Sequence, residues 1–372
     1  MKKHITSIGL LGAFAMASLQ ANQTDAQMRN LENRVSALEQ RKNANSMVNP
    51  SGRPQVRDGA DLFINAEWLI WQAHENGLNY AVKTDSTLDD TALLYGSTIK
   101  DLHFDWDSGV RVGLGYNLPH DGWDVVATWT WFENKATGSA SPSTPKELLG
   151  TQTFPLGTDG NNAFQSANST LRLHLNFIDL ELGREFFVSK WVTLRPFIGL
   201  RNAWVRQKQT TAYNTLVNPI FQTTQTGYLS KGSCNYWGLG PMTGLNTQWG
   251  LGCGLSLFGN GSVSLLNGFF DTTNYQTRQF PNNVHQDAVT NDHSNRIGRF
   301  IAQLAIGLGW DQMFANDRFH FGLKAGWEQT ILFGMNQFTH FFGELSDTAG
   351  NNFSNQGDLT IQGYTISARF DF

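Results

Sequence analysis

Charged and apolar side chains alternate between residues 104 and 118. Asp105, Asp107 and Arg111 fall on one set of positions; Phe104, Trp106, Val110, Val112, Leu114, Tyr116 and Leu118 fall on the other. The same parity rule, applied along the chain, collects Glu67, Asp105, Asp107, Arg111, Asp124, Arg172, His174, Arg195, Arg201, His320, Lys324 and Glu328 as candidates for one continuous polar face. Cations facing carboxylates across a narrow aqueous space set a transverse field that biases the passage of ions. The plainer reading is a set of structural ion pairs that fill a narrow interior, since enclosed polar groups must be paired or hydrated.

Other chemistry is thinly represented. His285, Asp287, Asp292 and His293 cluster within nine residues, yet they form no closed ligand motif, and a solvated Asn-rich loop is the simpler expectation, so no metal is expected. There is no phosphate-binding loop, no Cys-pair zinc motif and no HExxH. No nucleophile has a recognisable base and orienting partner. Neither an enzyme nor a resident cofactor is expected.

The element that positions such a face is a strand, because a period of two is its signature. The chain ends on one. Tyr364, Ile366, Ala368, Phe370 and Phe372 alternate with Gly363, Thr365, Ser367, Arg369 and Asp371. A last strand closed by a terminal aromatic is the pattern that barrel assembly machinery reads, so Tyr364, Ile366, Phe370 and Phe372 are the candidate assembly signal. An edge strand of a soluble sheet is the competing reading. Composition favours the membrane: glycine numbers 37, tryptophan twelve, aromatics reach 12% and charged residues only 16%, against about 25% charged in ordinary soluble domains. The net charge of −4, with no basic patch, gives no sign of nucleic-acid binding.

Lys2 and Lys3 precede an apolar run from Ile5 to Leu19 with small residues around Ala17 and Ala21, the layout of a signal peptide over residues 1–21. The run is too short to span a bilayer as a helix, and no later stretch does better. Residues 22–42 read as a short helical coiled-coil segment, with Met28, Leu31, Val35 and Leu38 at a and d spacing. They are candidates for oligomerisation, or for an amphipathic helix lying on the barrel. Residues 43–60 read as a linker rich in Asn, Pro, Gly and Ser.

From residue 61 to 372 the chain reads as an all-β, antiparallel transmembrane β-barrel. Candidate strands cover 61–74, 103–118, 123–132, 170–187, 191–206, 247–257, 261–270, 297–312, 318–333 and 358–372. Short connectors at 119–122, 189–190, 258–261 and 314–317 alternate with long ones at 75–102, 133–169, 207–246, 271–296 and 334–357, as bacterial barrels alternate periplasmic turns with extracellular loops. Residues 78–82, 97–102 and 235–242 could hide further strands, so the even count lies between 10 and 16. A period slip near Phe177 and Ile178 predicts a β-bulge, and Pro196 predicts a bulge or bend. Residues 141–168 could fold back into the lumen or face outward. Trp68, Trp71, Trp123, Trp129, Trp131, Trp191 and Trp204 are expected as interfacial or lipid-facing anchors. Cys253 shares a face with Trp249, Leu251, Leu255 and Leu257, while Cys234 falls in a loop or near a strand end; an intramolecular bridge is not expected.

Particular runs add to this. FDWDSGVRVGLGYNLPHDGWDVVATWTWF (104–132), with its turn PHDGWD, resembles the Legionella-type major outer membrane protein family, a group of pore-forming proteins. So do residues 60–82, 171–205 and 235–270, and the resemblance extends over about 60–372. It implies an abundant outer-membrane porin with roles at the host surface, and carries no catalytic motif. The expected function is passive diffusion of small hydrophilic solutes and ions. The alternative is an adhesin or structural protein that displays long loops on an occluded barrel; a barrel enzyme is the third reading. Expected partners are outer membrane lipid, the barrel assembly machinery, the permeating solutes and, through the N-terminal segment, a second copy of the chain.

Overall fold

Ten long strands carry the alternation. They are β1 (Leu62–Glu75), β2 (Asp107–Asn117), β3 (Trp123–Ala140), β4 (Phe164–Arg184), β5 (Val192–Thr215), β6 (Gly227–Gly252), β7 (Leu255–Phe280), β8 (Val284–Phe314), β9 (Phe319–Asn336) and β10 (Gly357–Asp371). Each pairs antiparallel with the next, and β10 pairs with β1 from Phe63↔Asp371 to Glu75↔Leu359, so the sheet closes on itself. The computed structural model describes residues 49–83, 97–119, 121–143, 148–152, 164–215, 227–280, 284–342, 351–354 and 357–372. The signal peptide and the coiled-coil positions Met28, Leu31, Val35 and Leu38 lie outside the described residues. Closure leaves no open sheet edge, which is what strands need in a bilayer.

The outer face explains the composition. Val110, Val112, Leu114, Ile178, Leu180, Ile198, Leu200, Leu304, Ile306 and Leu308 point out and are exposed. Aromatics flank this band: Trp68, Trp129, Trp237, Phe269 and Tyr364 toward the loops, and Tyr116, Trp191, Trp249 and Phe314 toward the turns. An apolar band between aromatic girdles is the surface of a transmembrane barrel.

One end of the barrel carries the short turns between β2 and β3, β4 and β5, β6 and β7, and β8 and β9. Residues 49–60 follow this rim. Pro50 O accepts from Phe187 N, Arg53 Nη1 donates to Leu118 O, Arg57 N donates to Asp317 O and Ala60 N donates to Phe372 O. The second half of the expected linker is therefore stitched to the barrel.

Several expected boundaries move. The turn between β6 and β7 is not at Phe258–Gly261 but at Cys253, flanked by Gly252 and Gly254; Cys253, Gly252 and Gly254 have φ of 58°, 98° and 74°. The Gly-Cys-Gly run supplies three successive left-handed conformations, two of them at glycine where the steric cost is small, whereas Gly259 and Gly261 sit inside β7. Much of 207–246 and 271–296, expected as loop, is strand, and β7 and β8 are separated by only residues 281–283. Those extensions are rich in Gln, Asn and Thr because they stand beyond the apolar band, so they lack the alternation that marks a membrane strand. The stretch 103–118 splits into His103–Phe104 and β2.

No bulge interrupts β4 near Phe177: its pairing with β5 runs unbroken from Phe197↔Gly183 to Asn214↔Ser166. Pro196 leaves a gap in the ladder to β4, yet Leu194↔Phe186 and Phe197↔Gly183 keep one register. Residues 79–83 and 98–101, two of the suspected hidden strands, do pair, but outside the barrel wall. With 148–150 they form a separate three-stranded sheet.

Candidate functional site

The barrel interior has two layers of opposite character. Toward the turns lies a polar chamber, a cavity of about 280 Å³. Arg111 Nη1 donates to Glu67 Oε2 at 2.8 Å and Arg111 Nη2 to Glu328 Oε1 at 2.7 Å; Thr365 Oγ1 adds a bond to Glu328 at 3.1 Å. Arg195 joins Asp124 and Glu181, the latter at 2.9 Å. Arg201 holds Asp179 in two 2.7 Å bonds and reaches Gln303 Oε1 at 2.6 Å. His320 Nδ1 lies 2.7 Å from Asp371, whose carboxylate also accepts from Arg369. The bidentate guanidinium–carboxylate bonds fix side chains in place.

Aromatics tighten the arrangement from behind. Arg111 lies over Trp71, Arg195 over Phe197, Arg201 over Phe177, Arg369 over Phe63 and Lys324 over Phe258, at 4.0–5.7 Å from the ring centres. Lys324 lines the chamber and stands apart from these ion pairs among the described residues.

Above the chamber the inner face turns apolar. Leu69 and Trp71 of β1, Phe132 of β3, Leu171, Leu173, Leu175 and Phe177 of β4, Val205 of β5, Tyr236 of β6, Phe270 of β7, Ile301 of β8, Leu332 of β9 and Ile361 of β10 are all buried in one core. Trp71 meets Phe132 edge to face at 5.5 Å. Narrow barrels are filled by side chains in this way.

Two inward-folded segments complete the filling. The three-stranded sheet buries Tyr80, Ala81 and Leu148. Burial, with the Asp101 carboxylate near, pushes the Tyr80 phenol above its ordinary value. At the end of β9 and just after it, Met335 and Phe338 turn in; Cys234 Sγ approaches Met335 O at 3.7 Å, and Asn274 Nδ2 donates to Thr339 O at 2.7 Å.

Of the parity-selected residues, Glu67, Arg111, Arg195, Arg201, Lys324 and Glu328 line the chamber, while Asp124 and His320 are buried in its ion pairs. Asp107 faces inward near the loop end of β2 and accepts from Asn134 Nδ2 at 2.7 Å, away from the chamber. Asp105 is exposed in the break before β2. Arg172 and His174 face outward; His174 Nδ1 pairs with Glu133 at 2.7 Å. Parity failed there because it equated charge with the lumen, whereas β4 turns Leu171, Leu173, Leu175 and Phe177 inward at that height. The same apolar layer explains Trp71, expected as an anchor but 2% exposed inside.

Sequence reading missed Asp179, Glu181, Asp311, Arg369 and Asp371. The Asp371–Arg369 alternation in the last strand could have flagged two of them. Asp179 and Glu181 were hidden by the bulge assumed beside them.

His285 and Asp287 lie within β8, exposed, and no group of three or more His, Cys, Asp or Glu among the described residues is placed to hold a metal. Cys234 is buried inside the loop half and Cys253 is exposed on a turn, both as free thiols. A membrane-impermeant maleimide is expected to label Cys253 quickly in the folded protein and Cys234 only after unfolding; equal rates in the folded state would contradict this placement.

A closed antiparallel barrel with an apolar, girdled outside and a charged inside defines an outer-membrane β-barrel protein. Residues 53–372 match the family described as Legionella pneumophila major outer membrane protein precursor, and the chain belongs to that family. Among solved structures it is similar to the outer membrane protease OmpT from Escherichia coli (8% identity, TM-score 0.42, covering 86% of this chain and 99% of that one). It is also similar to a major outer membrane protein from Thermus thermophilus (9%, 0.29, 84% and 98%) and to the P. putida toluene transporter TodX (10%, 0.29, 85% and 91%). No curated protein sequence matches.

Proposed function

We propose that this protein is a narrow outer-membrane pore for passive diffusion of small hydrophilic solutes and ions, closed in the state described. The observation that supports this is the chamber. Four arginines with their carboxylates, and Lys324, stand around open space, although one level higher the same barrel fills its interior with Leu and Phe. A barrel that served only as an anchor gains nothing from keeping charges in such a space, since enclosed charges are costly to hold. Solutes are sieved by width and biased by the fixed charges. The short turns and the N-terminal segment face the periplasm, and the long loops face outward, as the general layout of such barrels requires. The last strand, through Tyr364, Ile366, Phe370 and Phe372, is the piece read by assembly machinery. Met28, Leu31, Val35 and Leu38 are the surface through which copies would join. The barrel carries out no chemistry of its own and takes no cofactor.

The apolar layer favours a second reading, an occluded barrel that displays its loops to a host surface. Planar-bilayer recordings of folded, heat-modifiable protein separate the two. Discrete openings whose reversal potential moves in a salt gradient are expected of the pore. Silence from demonstrably folded protein would remove the pore reading and favour the display barrel.

A further inference from the structure

The outer surface of the loop half carries a charge pattern that the lumen does not use. Lys135 of β3, Arg172 of β4 and Lys208 of β5 are exposed and stand directly opposite one another, paired Lys135↔Arg172 and Lys208↔Arg172. One row toward the membrane come Glu133, His174 and Arg206. His174 Nδ1 lies 2.7 Å from Glu133 Oε1, so the one carboxylate of these two rows is already engaged. Lys135, Arg172, Arg206 and Lys208 form no ion pair among the described residues. Like charges directly opposite on neighbouring strands are destabilising, and an anion lying across them reverses the sign. The other side of the barrel has no such row. Above Tyr364 and Trp327, the outward rows of β1, β10 and β9 are Gln72, Gln362 and Gln329, then His74, Thr360 and Ile331.

Directly below the cations lies the aromatic girdle. Trp131 of β3, Trp204 of β5 and Trp237 of β6 occupy the next outward row, with Asn176 of β4 between the first two. Tryptophan marks the membrane–water interface. Cations two and four residues beyond it, about 7 and 13 Å along a strand, fall in the layer of lipid headgroups. Four residues from that row in the opposite direction, Leu180, Leu200 and Pro241 begin an apolar groove of about 700 Å³ on the same strands. Ile198 and Leu200 form one wall, and Val263, Leu265 and Phe300 the other; the short Pro241 and Thr243 lie between them. One face therefore joins cations, an interfacial belt and a groove in the hydrocarbon band, in the order in which a lipid presents its own parts.

We propose that this face binds one phosphorylated lipid of the outer leaflet, with a phosphate across Lys135, Arg172 and Lys208 and an acyl chain in the groove. Arg172 stands at the centre of the row, and a guanidinium meets phosphate oxygens in a fork, whereas the flanking lysines act as point charges. A free anion would leave the groove unused, and an uncharged lipid would leave the row unused. The lipid removes the like-charge repulsion, so it stabilises the folded barrel as any ligand of the native state does. The site lies on the outside of the wall and holds whether or not the lumen conducts; it rests only on the long loops facing outward.

The test titrates the folded barrel with diphosphoryl lipid A in an uncharged detergent, with EDTA present so that no divalent ion bridges the charges. Native mass spectrometry counts bound lipid, and the urea midpoint of heat-modifiable migration reads stability. Wild type is expected to hold one lipid and to rise in midpoint. Arg172→Gln with Lys208→Gln should bind at least about ten-fold more weakly, as two charge-assisted bonds are lost. Without lipid its midpoint should equal or exceed that of wild type, because the like-charge row is relieved. Fully dephosphorylated lipid A, the deacylated bisphosphorylated disaccharide and inorganic phosphate should each bind wild type more weakly by a similar factor. Equal lipid affinity in wild type and variant would overturn the site. Dephosphorylated lipid binding as tightly as the phosphorylated form would overturn it too, leaving only a general acyl contact. So would a deacylated headgroup or free phosphate binding as tightly as the lipid, which would make the row a site for soluble anions. These lipid comparisons use wild-type protein and do not depend on the variant folding.

Discussion

Arg111→Ala is expected to destabilise the barrel by about 3–5 kcal/mol, the usual cost of breaking a buried ion pair from one side. The guanidinium is shared by Glu67 and Glu328, and its removal leaves two carboxylates facing each other with only Thr365 still bonded to Glu328. The charge also lies over Trp71, so the floor of the apolar layer loses a contact. Urea unfolding in micelles, followed by the loss of heat-modifiable migration, reads the effect. The triple variant Arg111→Met, Glu67→Gln, Glu328→Gln should recover much of the loss, because no unpaired charge remains. A midpoint unchanged in Arg111→Ala would mean that the three groups are hydrated independently and do not form the cluster described.

Phe132→Ala is expected to have the largest effect on permeation. Phe132 is fully buried against Trp71 at the base of the apolar layer, directly above the Arg111 cluster. Truncating a buried aromatic costs about 3–5 kcal/mol and leaves a cavity. Here that cavity adjoins a charged chamber, so water should enter it. The expected result is a several-fold rise in open probability in bilayers, with sugar uptake in liposome-swelling assays rising in parallel. Trp71→Ala should act in the same direction. If both variants fold and permeation stays at the wild-type level, the apolar layer is not what closes the lumen.

The strand alternation made the barrel, its ten-strand reading and its last strand legible from residue types alone. Most of the chamber was legible too, because Glu67, Arg111 and Glu328 interrupt apolar runs on strands with one lipid face. What failed has a single physical origin. The parity argument takes lipid outside and water inside, and this barrel obeys it only over its turn half. In the loop half the inside is a protein core and the outside is water, so β4 inverts its pattern, and Arg172 and His174 were assigned to the wrong face. The same inversion made a straight strand look bulged at Phe177. The polar extensions of β5 to β8 gave no periodic signal, since neither of their faces meets lipid. The Gly-Cys-Gly turn was overlooked because Phe258–Gly261 has a similar glycine content, and only backbone φ separates the two.

Lys324 gives the most direct test that solutes pass through the chamber. It lines the cavity from β9 over Phe258 and stands apart from the ion pairs around it. In Lys324→Cys, made in a background lacking Cys234 and Cys253, unitary current is recorded while a negatively charged thiosulfonate, and separately a positively charged one, is added. A pore running through the chamber predicts a stepwise fall in current on modification, with reversal potentials displaced in opposite directions by the two reagents. Complete labelling that leaves current and reversal potential unchanged would mean that ions do not cross this lumen.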